Sequence, residues 1–119
     1  MIEMIAVNYL KSVLIDIPVS AEKRPDMKPP FVIVEKTGSS KRNHIAQATL
    51  AFQSYGASMY EAAKLNDTIK PLIEQMIKLP NVSKAALNSD YNWTDTSEKL
   101  YRYQAVFDVT YMEVDYNVE

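Results

Sequence analysis

The feature that most constrains this chain is its final segment, where alternation is cleaner than anywhere else. Tyr101, Tyr103, Ala105, Phe107, Val109 and Tyr111 fall on one side, and Arg102, Gln104, Asp108 and Thr110 on the other. A period of two belongs to a β-strand with one buried face. A strand from Tyr101 to Val114, at about 3.3 Å per residue, spans roughly 45 Å. A compact domain of 119 residues has a diameter of only about 35 Å. The strand must therefore bend or protrude, and strands that overrun their globule leave backbone edges free for a neighbouring chain. A homo-oligomer is the expectation.

The rest of the chain supplies layers to set against that strand. Ile2, Ile5, Ala6, Tyr9, Leu10 and Val13 recur at helical spacing, which predicts an amphipathic helix over 2–14. Asp16 and Pro18 break it. The proline-rich stretch from Pro18 to Pro30 reads as a short extended piece followed by a loop. Phe31–Lys36 is β-branched-rich and apolar on both faces, as in a strand covered twice or paired centrally. Thr37–Asn43 reads as a polar turn. Beyond it Ala46, Ala48, Leu50 and Phe52 alternate with Gln47, Thr49 and Gln53, closing a hairpin over 31–55 with Lys41 and Arg42 at a basic tip.

Ser58 with Glu61 three residues later has the form of a capping box. The helix it opens is predicted over 58–79, its stripe being Ala62, Leu65, Ile69, Leu72, Ile73 and Met76. Pro71 should kink that helix or divide it near Asp67. Strands are expected over 82–87 and 101–114, with 88–98 as a polar loop or hairpin tip. The order is α-β-β-β-α-β-β. It predicts one α+β domain over 1–119, a mainly antiparallel sheet with two helices packed on one face.

Composition is that of an ordinary folded chain, 47% hydrophobic and 24% charged. Apolar runs such as Val13–Ile15 and Phe31–Val34 are far too short to cross a bilayer, and no secretory signal is expected at the amino end. With no cysteine, disulfides and thiolate metal sites are excluded. The sequons at Asn81 and Asn92 read as chance. No base follows Arg102, while Asp108, Glu113, Asp115 and Glu119 do. An acidic end of this kind argues against a nucleic-acid surface there and suits a basic patch on a partner.

The chemistry-bearing residues are few. His44 is the sole histidine, so no multi-histidine metal site can form, and at a hairpin turn it reads as a solvated loop residue. Gly38 is the sole glycine near the start of a hairpin tip, and neither a dinucleotide fingerprint nor a phosphate loop is present. Glu113 and Asp115 share a strand face, but two ligands do not make a cation site. Glu35, inside FVIVEK, needs a partner such as Lys36, Arg42 or a neighbouring subunit. Lys36, Lys41 and Arg42 form a small basic tip without aromatic interleaving. Tyr91 and Trp93 are large aromatics in a polar segment, a pattern of interface anchors. No catalytic residue, cofactor or metal is expected. The candidate subunit or partner interface is Glu35, Lys36, Lys41, Arg42, Tyr91, Trp93, Asp108, Glu113 and Asp115.

Pro18, Val19, Ser20, Arg24, Pro25, Phe31, Val32, Val34, Glu35, Thr37 and Gly38 follow one another in a pattern that resembles the small tail terminator and head-tail joining proteins of long-tailed bacteriophages and prophages. There a leading helix precedes a P-V-S-type strand, an R-P turn and an F-V-x-V-E-x-T-G-G hairpin. Ser39 stands in place of the second glycine here, and residues Met27–Pro29 lengthen the turn. The layout agrees over nearly the whole chain. The resemblance implies a hexameric ring capping the tail tube, with tail tube and head connector proteins as partners and DNA passing without specific binding. It implies a virion protein made in the bacterial host cytoplasm. The competing readings are a small bacterial protein-binding or regulatory module, and an enzyme in which Glu35, Asp108 or Glu113 converge on a pocket.

Overall fold

The tertiary structure is a computed structural model that describes residues 1–113. Helix α1 (Ile2–Val13) leads into a two-residue strand β1 (Val19–Ser20). Strands β2 (Phe31–Arg42) and β3 (Ile45–Gly56) follow, then helix α2 (Met59–Glu74) with a 3-10 turn (Gln75–Lys78), and finally β4 (Val82–Asn92) and β5 (Tyr101–Met112). The strands form one sheet in the order β1-β2-β3-β5-β4, antiparallel except for the β1–β2 pair. This is the expected α+β fold with the expected element order.

Both helices lie on one face. Val32, Val34, Leu50, Phe52 and Phe107 of the sheet pack in one cluster with Ala6, Val7 and Leu10 of α1 and Leu65, Ile69 and Ile73 of α2. Phe52 and Phe107 meet edge to face at its centre, ring centroids 5.7 Å apart. Truncating either ring to alanine should cost about 3–5 kcal/mol. The proline-rich loop turns to the opposite face, where Met27 covers Phe31, Ile33 and Tyr55 in a second, small cluster. That double cover buries Phe31–Val34 on both sides, as the apolar run requires.

Several elements differ in detail from their sequence patterns. The stripe of α1 is Ile2, Ala6, Val7, Leu10 and Leu14, while Ile5 and Val13 are 43% and 40% exposed. The true stripe is rotated by about one residue, because Val7 and Leu14 complete a tighter i, i+3, i+4 set. The polar stretch Thr37–Arg42 is strand, not turn. The reversal needs only Asn43 and His44, both at positive φ (52° and 69°), the backbone of a two-residue hairpin whose twist matches its strands.

Helix α2 is not divided near Asp67: it runs unbroken through Pro71 to Glu74 before tightening into the 3-10 turn. Asp67 and Pro71 both lie on its exposed side, so the carbonyl that Pro71 cannot bond is left to water. Strand β4 continues five residues past Leu87 to Asn92, because Ser89–Asn92 pair along Val106–Tyr103 of β5. Bulges at Val82/Lys84 and Leu87/Ser89 interrupt its register. Strand β5 stops at Met112, and Val114 lies outside the described residues.

Polar contacts fasten the edge strand to the helix layer. Lys70 of α2 donates to Asp90 of β4 at 3.2 Å and reaches Asp67 at 3.0 Å. Asn66, buried in the α2 stripe, donates its amide to Asp90 at 3.4 Å. The bond to Asp67, followed by those to Asp90, holds the Lys70 ammonium above its ordinary range against the opposing effect of burial. The molecule extends 48 × 26 × 24 Å. Its long axis is long enough to hold the twelve-residue strands β2, β3 and β5, which span about 40 Å each.

Candidate functional site

The helices cover one face of the sheet, and the other carries a row of stacked groups that crosses the strands near the amino-terminal end of β2. Phe31 of β2 and Tyr55 of β3 are cross-strand partners, their rings stacked 4.4 Å apart. Arg102 of β5 sits opposite Tyr55 and donates Nη1 to the Tyr55 hydroxyl at 3.2 Å. Its Nε donates to the Trp93 carbonyl at 2.7 Å, and its guanidinium lies 4.0 Å from the Trp93 ring centroid. A planar cation against an indole face is a favourable arrangement that lysine cannot reproduce.

A second row runs beside it. Gln53 of β3 donates to Gln104 of β5 at 3.0 Å, and Gln104 donates in turn to the hydroxyl of Tyr91 on β4. Both glutamines are buried although they belong to the face without helices, because neighbouring side chains cover them. Farther along, Asn88 donates to Asp108 at 3.1 Å. Tyr91 and Trp93 remain 42% and 38% exposed. The tip beyond Trp93 is closed by Asp95, which accepts from the Ser97 hydroxyl at 2.7 Å and from the Ser97 and Glu98 amides. Those bonds, the Ser97 hydroxyl foremost, hold its carboxyl below the usual carboxylate range.

The nine sequence candidates therefore do not form one site. Tyr91 and Trp93 come together on the open face with Arg102 and Tyr55, and Asp108 lies on the same face. Glu35 stands there too, opposite Ala51, exposed and in no ion pair among the described residues. Lys41 and Arg42 occupy the far end of the β2–β3 arm. Arg102 and Met112 bracket that separation, ten ladder steps or roughly 33 Å. At the arm, Lys41 pairs with Glu113 of the same chain at 3.4 Å, both side chains about half exposed. Part of the basic tip thus meets the acidic end within one molecule. Lys36 lies nearer the body, beside Met1, Ile5 and Glu113. Asp115 lies outside the described residues, so the proposed Glu113–Asp115 face is untested by geometry.

Sequence reasoning missed Arg102, Tyr55, Gln53 and Gln104 as site residues. They sat at the polar positions of regular strands, and only the cross-strand register reveals that they stack and hydrogen-bond together. Among the described residues no three histidine, aspartate or glutamate side chains converge as metal ligands. His44 sits in the hairpin turn and is exposed. A groove between the end of α1 and the loop after β1 is lined by Met4, Leu14, Ile15, Asp16, Glu22 and Met27, a mixed surface without a focus of charge. No helix among the described residues is long and apolar enough to cross a membrane. Fold and surface define an α+β protein with one helix-covered sheet face and one aromatic, hydrogen-bonded face. No protein-family model matches the chain, and no curated protein matches it either.

Proposed function

We propose that this chain is a structural subunit that acts by self-assembly, forming a ring at the head-proximal end of a phage or prophage tail tube as a tail terminator or head-tail joining protein. The observation that carries the reading is the β2–β3 arm. Residues 35–42 of β2 are exposed, and among the described residues no strand covers their outer edge, which costs a lone molecule backbone and side-chain order with little burial in return. A neighbouring subunit would supply that burial. The resemblance of the Pro18–Gly38 pattern adds the particle and the partners: tail tube on one side, head connector on the other, in a virion assembled in the bacterial cytoplasm. A net charge of -2 suits a lumen that lets DNA pass without gripping it.

The Arg102–Trp93 stack favours a second reading, a small bacterial protein-binding or regulatory module that holds its partner on the open face as a monomer. Light scattering over a range of concentrations, with and without added tail tubes, separates the two. Rings in negative-stain images and a multimeric mass are expected. A chain that stays monomeric at high concentration even with tail tubes present refutes the ring.

A further inference from the structure

Strand β1 pairs with β2 only at Val32 and Ile33. From Val34 to Arg42 the outer side of β2 has no strand partner among the described residues, and the outer side of β4, Val82–Asn92, has none either. Long unpaired edges are usually blocked by proline, by bulges or by charge. Neither strand contains proline. One bulge, at Lys36/Gly38, interrupts the register of β2, and two interrupt that of β4.

We propose that the β4 edge of one copy pairs with the Val34–Arg42 edge of β2 in the next copy, a head-to-tail contact that continues the sheet. This rests on the self-assembly reading and names its surfaces. Strand direction supports it. Each of β2, β3, β5 and β4 is antiparallel to its neighbour, so β4 runs opposite to β2. A copy rotated about a common axis therefore presents β4 antiparallel to β2, with every helix layer on the same side. Such a heterologous contact closes into a ring when the rotation permits.

Charge does not separate this contact from a two-fold pairing of β2 edges, since full antiparallel overlap of two Val34–Arg42 edges would set Lys41 opposite Glu35 and Lys36 opposite Ser40; the cross-linking below separates them. Lys41 is partly compensated by Glu113, but Lys36 and Arg42 have no ion-pair partner among the described residues. Strand β4 carries one base, Lys84, and Asp90, with Asp108 on the adjoining strand. At the proposed heights Lys36 meets Leu87, Lys41 meets Val82 and Lys84 meets Ser40, so no like charges are directly opposed.

The chain has no cysteine, which makes the contact directly mappable. Lys36 and Leu87 lie at one height of the sheet, through Leu50 and Phe107, and both are exposed. Ser40 lies level with Lys84, next to exposed Ser83. The variants Lys36→Cys with Leu87→Cys, and Ser40→Cys with Ser83→Cys, are treated with a short bis-maleimide and run on denaturing gels. In at least one double variant a ladder of multimers is expected. The matching single variants should stay monomeric on the gel, and an equal mixture of the two singles should give dimers only. Single variants that cross-link to dimers as efficiently as the mixture indicate two-fold contacts and overturn the proposal. So does an assembly established by light scattering in which neither pair cross-links. A monomer at all concentrations overturns the self-assembly reading itself, and with it this contact.

Discussion

Replacing Gly56 by alanine should unsettle the junction between β3 and α2. Gly56 ends β3, and α2 begins three residues later behind the Ser58 cap. A Cβ at Gly56 would lie 2.3 Å from the Ala62 nitrogen and 2.8 Å from both Ala62 Cα and the Glu61 carbonyl carbon. Ordinary carbon contacts are about 3.5–4.0 Å, so the overlap exceeds roughly 1 Å. All three atoms are backbone, and no rotamer change relieves them. The first turn of α2 must lift, loosening Ala62 and Leu65 from the sheet. Overpacking of this kind costs about 1–3 kcal/mol or more, and the rigidity of the opposing backbone puts Gly56→Ala near about 3 kcal/mol. A domain of this length has an unfolding entropy near 0.25 kcal/mol/K at its melting temperature, so Tm should fall by roughly 12 °C.

Gly38 is the matched control, since nothing lies within 4 Å of its virtual Cβ and its φ is not positive. Gly38→Ala should be neutral or stabilising by up to about 1 kcal/mol, because alanine loses less backbone entropy in a strand. Urea titration by circular dichroism and calorimetry measure both variants. Gly56→Ala within about 1 kcal/mol of the parent, or Gly38→Ala as damaging as Gly56→Ala, would falsify the close-approach argument.

Arg102→Met should destabilise by about 1–2 kcal/mol and red-shift the emission of the sole tryptophan, with Arg102→Lys restoring less than half, because lysine lacks the planar fork. Ser58→Ala should cost about 1 kcal/mol in urea titration through loss of the cap that accepts from the Glu61 amide at 3.1 Å. Burial raises Tyr9 and Tyr111 above the ordinary tyrosine range, and its carboxylate partners raise Lys70. Raised values in the folded state mean stability fully present below about pH 10 and lost as pH rises through the folded values. Tyr9→Phe should flatten part of that alkaline fall while losing about 1 kcal/mol at neutral pH, where Tyr9 donates to the Leu72 carbonyl at 2.6 Å. Chemical denaturation between pH 8 and 11 reads both effects.

Periodicity was a sufficient guide to element type wherever a face was buried. The alternation of β5 and of Ala46–Phe52, and the apolar double-faced run of β2, all appear as strands in one sheet. It failed where neither face is buried. Thr37–Arg42 and Asn88–Asn92 have the composition of turns, and they are extended because a neighbouring strand engages their backbones. Backbone pairing leaves no trace in side-chain pattern. In the same way Pro71 reads as a helix breaker, yet the unbonded carbonyl faces solvent. The open-face aromatics Tyr91 and Trp93 were visible as types in the sequence. Their partners Arg102, Gln104, Gln53 and Tyr55 were not, since the register that joins them depends on contacts up to 51 positions apart.

Strand β2 is divided along its length into two regimes of sequence freedom. Phe31–Val34 is enclosed on both faces, so nearly any substitution there disturbs the core. Residues 35–42 are exposed, and the turn that follows them asks only for residues tolerant of positive φ. Mutations can accumulate on this outer half without touching the stability of the inner half. One continuous strand thus gives the lineage a surface that can be rewritten for a new neighbour while the fold that carries it stays unchanged.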